Sequence, residues 1–217
     1  MDGPASTPGR LAVCAFDPGC DTGWSWLCVA QDSARFKGTG ETLREVRPDV
    51  ELHTLDPEAA GLLLGTEHGQ FGRREGLSED QQVDKMMTSI RACWVHYDLD
   101  PSRDVLAVVA ERFTLRQMDM DDDLLAPVRL NAKLERDLRH TGMRLWLQTP
   151  SDAMRTVTDA RLKHWNVYDP SSGKHARDAD RHSILFARRW GSQAGLRKAV
   201  ELGQPNRIRV GQSTLAR

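Results

Sequence analysis

The sequence predicts an α/β fold, a mixed β-sheet flanked by helices on both faces. Three observations carry this. Two apolar runs, Leu11 to Phe16 and Trp24 to Ala30, are joined by a segment containing Pro18-Gly19, the pattern of a hairpin. Val105 to Ala110 is apolar without a break, as in a strand covered on both faces. From Ser78 onward, segments of helical period alternate with short apolar runs, an order that stacks helices against a sheet.

The 217 residues suit one domain with tails. Residues 1–10 are small, polar and Pro/Gly-bearing and read as a flexible N-terminal tail, with no apolar core of a signal peptide. Residues 11–195 form the domain, and 196–217 read as a basic C-terminal tail. No run approaches the roughly 18 apolar residues of a membrane span. Cys14, Cys20, Cys28 and Cys93 form no CxxC pair, which argues against a zinc site or a disulfide framework and for a reducing, cytoplasmic setting. The formal net charge is −1, so the chain lacks the overall basic excess common among nucleic-acid binders. Its charge is instead segregated. Residues 119–123 are nearly all acidic, while Arg129, Lys133, Arg136 and Arg139 crowd the next segment and Arg177, Arg181, Arg188 and Arg189 a later one.

In chain order, the first apolar run ends on a single carboxylate, Asp17, and Gly23 gives a second permissive backbone point before the next strand. Phe36 to Leu43 and Val50 to Leu55 are weak strand patterns. Gly65, Gly69, Gly72 and Gly76 make the following segment read as a flexible loop in part. Ser78 is placed as the N-cap of a helix whose Val83, Met86, Met87, Ile90, Cys93 and Trp94 share one face; its methionines are core filling. Val105 to Ala110 also ends on one carboxylate, Glu111, followed by Arg112, Phe113 and Arg116. The acids at 119–123 lack the glycine and distal glutamate of a calcium loop and read as a solvated loop or as charge at a helix N-terminus. A helix over Leu124 to His140 carries Arg129, Lys133 and Arg136 on one flank. Such a flank is usually only solvated; beside a nuclease site it would meet a DNA backbone. Met143 to Leu147 is a short strand, and Met154 to Trp165 reads as one helix. After the loop at 169–173 comes a last helix. Its His175, Asp178 and His182 lie three and four residues apart, on one face, where an acid and an imidazole ligate a metal or pass a proton. The structural alternative is a helix start with acids near its positive end and a satisfied histidine.

Asp17, Glu111 and Asp178 are thus candidate acids that begin or end backbone elements. Oxygen ligands of this kind suit Mg²⁺. Metal-dependent phosphodiester cleavage uses two ions about 3.5–4 Å apart, held by bridging acids.

On these residues the chain resembles the RuvC group of Holliday-junction resolvases in the RNase H-like superfamily, particularly the divergent versions carried by bacteriophages. The resemblance rests on Asp17-Pro18-Gly19 with Thr22-Gly23, on Ala110-Glu111, and on the late acid and histidine cluster, and it spans roughly Leu11 to Arg189. It implies an RNase H-like sheet and a nuclease with two Mg²⁺ or Mn²⁺ ions held by Asp17, Glu111, Asp178 and His175. An alternative alignment starts the last pair at Asp178 and puts Arg181 where an acid belongs, so that Asp180 or His182 would compensate. The resemblance further implies in-line attack of water on phosphorus, leaving 5′-phosphate ends, and Arg112, Arg116, Arg129, Lys133 and Arg136 as contacts to DNA backbone. It implies a homodimer acting on four-way junctions, forks or flaps in recombination and repair, in the host cytoplasm if phage-encoded. The Gly-rich segment at 61–76 has no counterpart in the family pattern. Two rival readings remain open at this point. One is a catalytically inactive branched-DNA-binding relative. The other is an ATP-binding protein of the actin and sugar-kinase type, against which stands the lack of a second Asp-x-Gly strand turn.

Overall fold

The computed structural model describes residues 10–30, 65–100, 104–113, 122–164 and 167–190. Its strands form one mixed sheet in the order β3-β2-β1-β4-β5. β1 (Arg10–Asp17) and β2 (Asp21–Ala30) are the expected antiparallel hairpin, with Asp17 opposite Gly23. β3 (Gly65–Gly72) runs antiparallel to β2 at one edge. On the other side β4 (Val105–Glu111) is parallel to β1, with Ala110 beside Phe16. β5 (Leu145–Gln148) is parallel to β4, with Gln148 beside Glu111. The α/β class, the mixed sheet and the helices on both faces are as the sequence predicts.

The helices are α1 (Glu79–His96), α2 (Asp122–His140), α3 (Pro150–Thr156), α4 (Asp159–His164) and α5 (Lys174–Trp190). Ser78 caps α1 as expected. Its hydroxyl accepts from the Gln81 amide while the Gln81 side chain accepts from the Ser78 amide, a reciprocal box that satisfies two otherwise orphaned donors.

Side chains on β1 alternate between two cores, as the two-residue period of a strand requires. Ala12, Cys14 and Phe16 meet Met86 and Ile90 of α1 and Leu130 and Leu134 of α2. Leu11, Val13 and Ala15 meet Ala153 of α3, Leu162 of α4 and Ile184, Leu185 and Phe186 of α5. All six β1 residues are fully buried. Each large side chain buried this way contributes about 1.5–3 kcal/mol. The strand therefore cannot shift register without turning both cores inside out, and Asp17 is held at a fixed height at its end.

Two expectations need correction. The Gly-rich segment is not a loop where it is described: it contains β3. A Cβ on Gly69 would sit 2.9 Å from the Trp24 indole, and one on Gly72 would sit 2.5 Å from the Cys20 carbonyl oxygen. Gly69 and Gly72 serve close approach to β2 and the turn before it, not looseness. The helix expected over Met154 to Trp165 is two short helices. The Thr158 hydroxyl accepts from the Arg161 amide and starts α4 afresh, and the carbonyl of buried Val157 is turned to accept from Arg181 Nε at 3.1 Å.

The first strand also takes in Arg10. Its guanidinium donates to Asp104 and to the carbonyls of Tyr97 and Asp98, fastening the sheet to the end of α1. The expected strands at 36–43 and 50–55, Arg116, Asp119, Asp121 and the C-terminal tail lie outside the described residues. Among the described residues no helix is long and apolar enough to cross a membrane.

Candidate active site

The parallel pairing of β1 with β4 fixes the first half of the site. With Phe16 beside Ala110, the next residue of each strand is a carboxylate, so Asp17 and Glu111 leave the same end of neighbouring strands. The second half comes from α5, which packs across the same sheet. Its first turn rests on β2 at Gly23, where a Cβ would lie 2.0 Å from the His175 carbonyl oxygen and 2.6 Å from the Ala176 amide. Only glycine fits, which gives the second half of the Asp-Pro-Gly-x-x-x-Gly pattern its reason. The close approach brings His175 over Asp17, and its Nδ1–H donates to Asp17 Oδ2 at 2.7 Å.

Asp17 is an unfavourable place for an isolated negative charge. Burial pushes its carboxyl above the ordinary range. The hydrogen bond from His175 opposes this, and repulsion from Glu111 and Asp178 adds to it. His175 is raised in turn, chiefly by its bond to Asp17, with burial opposing and Asp178 assisting. The electrostatics therefore join four of the predicted residues, Asp17, Glu111, His175 and Asp178, in one locality. The Asp178 carboxylate is itself bonded by Arg181, whose guanidinium also reaches Asp159 of α4.

Of the two alternative ligands, Asp180 meets β3 and His182 meets Glu111. Asp180 points at the sheet edge, where its carboxylate meets His68 Nδ1 of β3 at 2.9 Å; Asp169 lies 3.6 Å from the other ring nitrogen. Burial raises the Asp180 carboxyl against the pull of His68, and the bond to Asp180 raises His68. His182 is buried with Nε2 3.1 Å from Glu111 Oε2 and Nδ1 3.0 Å from Gln148 Oε1. Asn131 of α2 donates to the Glu111 carbonyl at 2.9 Å, and its buried Oδ1 has no hydrogen-bond partner among the described residues.

His68, Gln148 and Asn131 were not singled out from the sequence. Gln148 had a readable signal, being the polar residue that ends an apolar strand, as Asp17 and Glu111 do. His68 had none, since its partner is 112 residues away.

Hard carboxylate oxygens and an imidazole suit Mg²⁺ or Mn²⁺ in kind. A cation beside Asp17 would also relieve the repulsion among the three acids. No three His, Cys, Asp or Glu side chains among the described residues converge closely enough to enclose an ion. The bonds from Arg181 to Asp178 and from His182 to Glu111 are what hold two of the acids to other partners.

Of the basic residues, Arg112 is exposed beside Glu111. Arg129 is 2.6 Å from Glu79, and Lys133 is 3.2 Å from Glu79 and 2.8 Å from Asp80. These pairs tie α2 to the first turn of α1. Arg136 is 2.9 Å from its neighbour Asp137.

No family model and no curated protein matches the sequence. Among solved structures, the chain is similar to RuvC of Thermus thermophilus in complex with a Holliday junction substrate, at a TM-score of 0.45 and 10% identity over 91% of this chain and 98% of that one. A second structure of Thermus thermophilus RuvC gives 0.46 and 12% over 91% and 99%. RNase HII of Archaeoglobus fulgidus, in its complex with PCNA, gives 0.24 and 14% over 92% and 95%.

Proposed function

We propose that this protein is a metal-dependent phosphodiesterase of RNase H-like architecture acting on DNA. More particularly, we read it as an endonuclease that cuts four-way junctions or other branched DNA, leaving 5′-phosphate ends. The observation that carries this reading is the pairing of Asp17 and Glu111 at the ends of adjacent parallel strands, with Asp178 of α5 adding a third negative charge to the same locality.

Asp17, Glu111, Asp178 and His175 would hold two Mg²⁺ or Mn²⁺ ions, which when bound supply the charge that activates a water and stabilises the leaving oxygen. The chain's own part is to fix these groups. β1 and β4 set the spacing of two acids, and α5 brings the third acid and the imidazole. His175 orients Asp17 through Nδ1, which leaves Nε2 as the nitrogen that would meet an ion. Arg112, exposed next to Glu111, would meet the phosphate backbone. Asp178 would have to give up Arg181, and that bond favours one second reading, an inactive relative that binds branched DNA without cutting it.

Cleavage of a labelled four-way junction, beside linear duplex and flap, in Mg²⁺, Mn²⁺ or chelator, separates these. Paired cuts on the junction alone, abolished by chelator, support a resolvase. Equal cutting of all branched forms supports a broader debranching nuclease. Junction binding with no cutting in either metal selects the inactive relative.

A further inference from the structure

We propose that His182 is the positioning residue for Glu111, fixing this carboxylate for a cation without being a ligand itself; this rests on the metal-dependent reading above. The ring bridges the ends of two strands. Nε2 lies 3.1 Å from Glu111 Oε2 on β4, and Nδ1 lies 3.0 Å from the Gln148 side-chain oxygen on β5. Its side chain is 1% exposed, against 22% for Glu111. Both ring nitrogens are thus occupied in a closed space, while the acid they hold reaches toward solvent.

The support beneath this bridge is rigid. The carbonyl of Gln148 accepts from the Arg112 amide at 2.6 Å, one residue past Glu111. The Glu111 carbonyl accepts from Asn131 of α2 at 2.9 Å. Main chain and side chain of Glu111 are therefore held separately, the one by Asn131 and the other by His182. A glutamate at a strand end has three rotatable side-chain bonds, and ordering them on binding an ion costs entropy. Fixing one oxygen beforehand removes much of that cost. Hydrogen bonds of this kind to a ligating group typically change metal affinity about 10- to 100-fold when removed.

Helical spacing supports the same division of labour. His175, Asp178 and His182 lie along one face of α5, with His175 on Asp17 and His182 on Glu111. One helix thus carries a partner for each of the two strand-end acids, half-exposed at its start and buried a further two turns in.

The test is Mn²⁺ binding to the full chain, followed by calorimetry and by loss of the free-ion electron paramagnetic resonance signal. His182→Phe keeps the ring volume and removes both hydrogen bonds. It is expected to weaken Mn²⁺ binding about 10- to 100-fold with unchanged stoichiometry. His182→Gln, which retains a donor toward Glu111, is expected to recover most of the loss. Gln148→Leu leaves the helix core intact and frees the ring to turn, so an intermediate loss is expected; it decides the matter if His182→Phe does not fold. Unchanged affinity in both His182→Phe and Gln148→Leu would overturn the proposal. So would loss of one ion per chain in His182→Phe, matching Glu111→Gln, since His182 would then be a ligand. Wild-type protein that takes up no Mn²⁺ would overturn the metal reading, and this proposal with it.

Discussion

His175 Nδ1 lies 2.7 Å from Asp17 Oδ2, a bond that joins the first turn of α5 to the end of β1. Asp17 is buried and raised by that burial and by its acidic neighbours, so the bond partly offsets an unfavourable charge. Asp17→Asn removes the charge and keeps an acceptor for His175. We expect cleavage to fall by at least about 100-fold, as for removal of an essential group. The melting temperature is expected to hold or rise, because a buried charge has been neutralised. Single-turnover cleavage and thermal unfolding of the same sample check both halves, and a loss of stability as large as the loss of activity would contradict this account.

Gly23→Ala places a methyl group where the His175 carbonyl already lies. Either β2 or the start of α5 must move. Overpacking of this kind costs about 1–3 kcal/mol or more. Activity should fall along with stability, since His175 is displaced from Asp17. Urea unfolding within about 0.5 kcal/mol of wild type would mean that the helix is free to lift away, and the tight seat described above would be wrong.

Arg10 and Asp104 give a pH dependence remote from the site. Burial pushes the Asp104 carboxyl up. The bonds from the Arg10 side chain and from the Asp100 and Arg10 amides outweigh this and hold it below its ordinary value. A folded value below the unfolded one gives stability that is present above the unfolded value, near pH 4, and lost as pH falls through the folded value. Asp104→Asn should therefore cost about 2 kcal/mol at neutral pH, the worth of charged hydrogen bonds, and progressively less in acid. Unfolding curves of both proteins between pH 7 and pH 2 should converge; a constant gap would show that the carboxylate's charge is not what matters.

Arg112 and the basic flank of α2 should behave differently toward DNA. Arg129 and Lys133 already face Glu79 and Asp80, and the Glu79 carboxyl is held below its ordinary value chiefly by Arg129. Arg112→Ala should weaken junction binding and reduce the slope of log affinity against log salt by about 1. Arg129→Ala and Lys133→Ala should change that slope less and cost at most about 1 kcal/mol of stability each, as exposed ion pairs do. Salt titrations of fluorescence anisotropy on a four-way junction distinguish them. A larger slope change for Lys133→Ala than for Arg112→Ala would place the DNA along α2 instead.

The elements that the sequence makes plain are those whose local pattern and burial agree. β1, β2 and β4 are continuous apolar runs, and α1 has both a cap and an apolar face. β3 was hidden because its glycines answer to Trp24 on the neighbouring strand and to Cys20 in the turn before it, a requirement absent from its own pattern. The division between α3 and α4 was hidden because it depends on where Arg181 finds the Val157 carbonyl. At the site, the strand-end acids were legible since an apolar run that stops on one carboxylate is a local feature. The choice among His175, Asp180 and His182 was not. All three are near one another in sequence, and only packing turns Asp180 to His68 and His182 to Glu111.

The seat of α5 on Gly23 also sets an order of events in the life of the chain. Asp17 and His175 are 158 residues apart, so the first strand is made long before the helix that completes its surroundings. A chain growing from its N-terminus carries Asp17 and Glu111 on a sheet that still lacks Asp178 and His175. Domains fold as units during synthesis, at about 5–20 residues per second. The nascent protein would therefore lack Asp178 and His175 beside Asp17 for the many seconds between emergence of β1 and docking of α5.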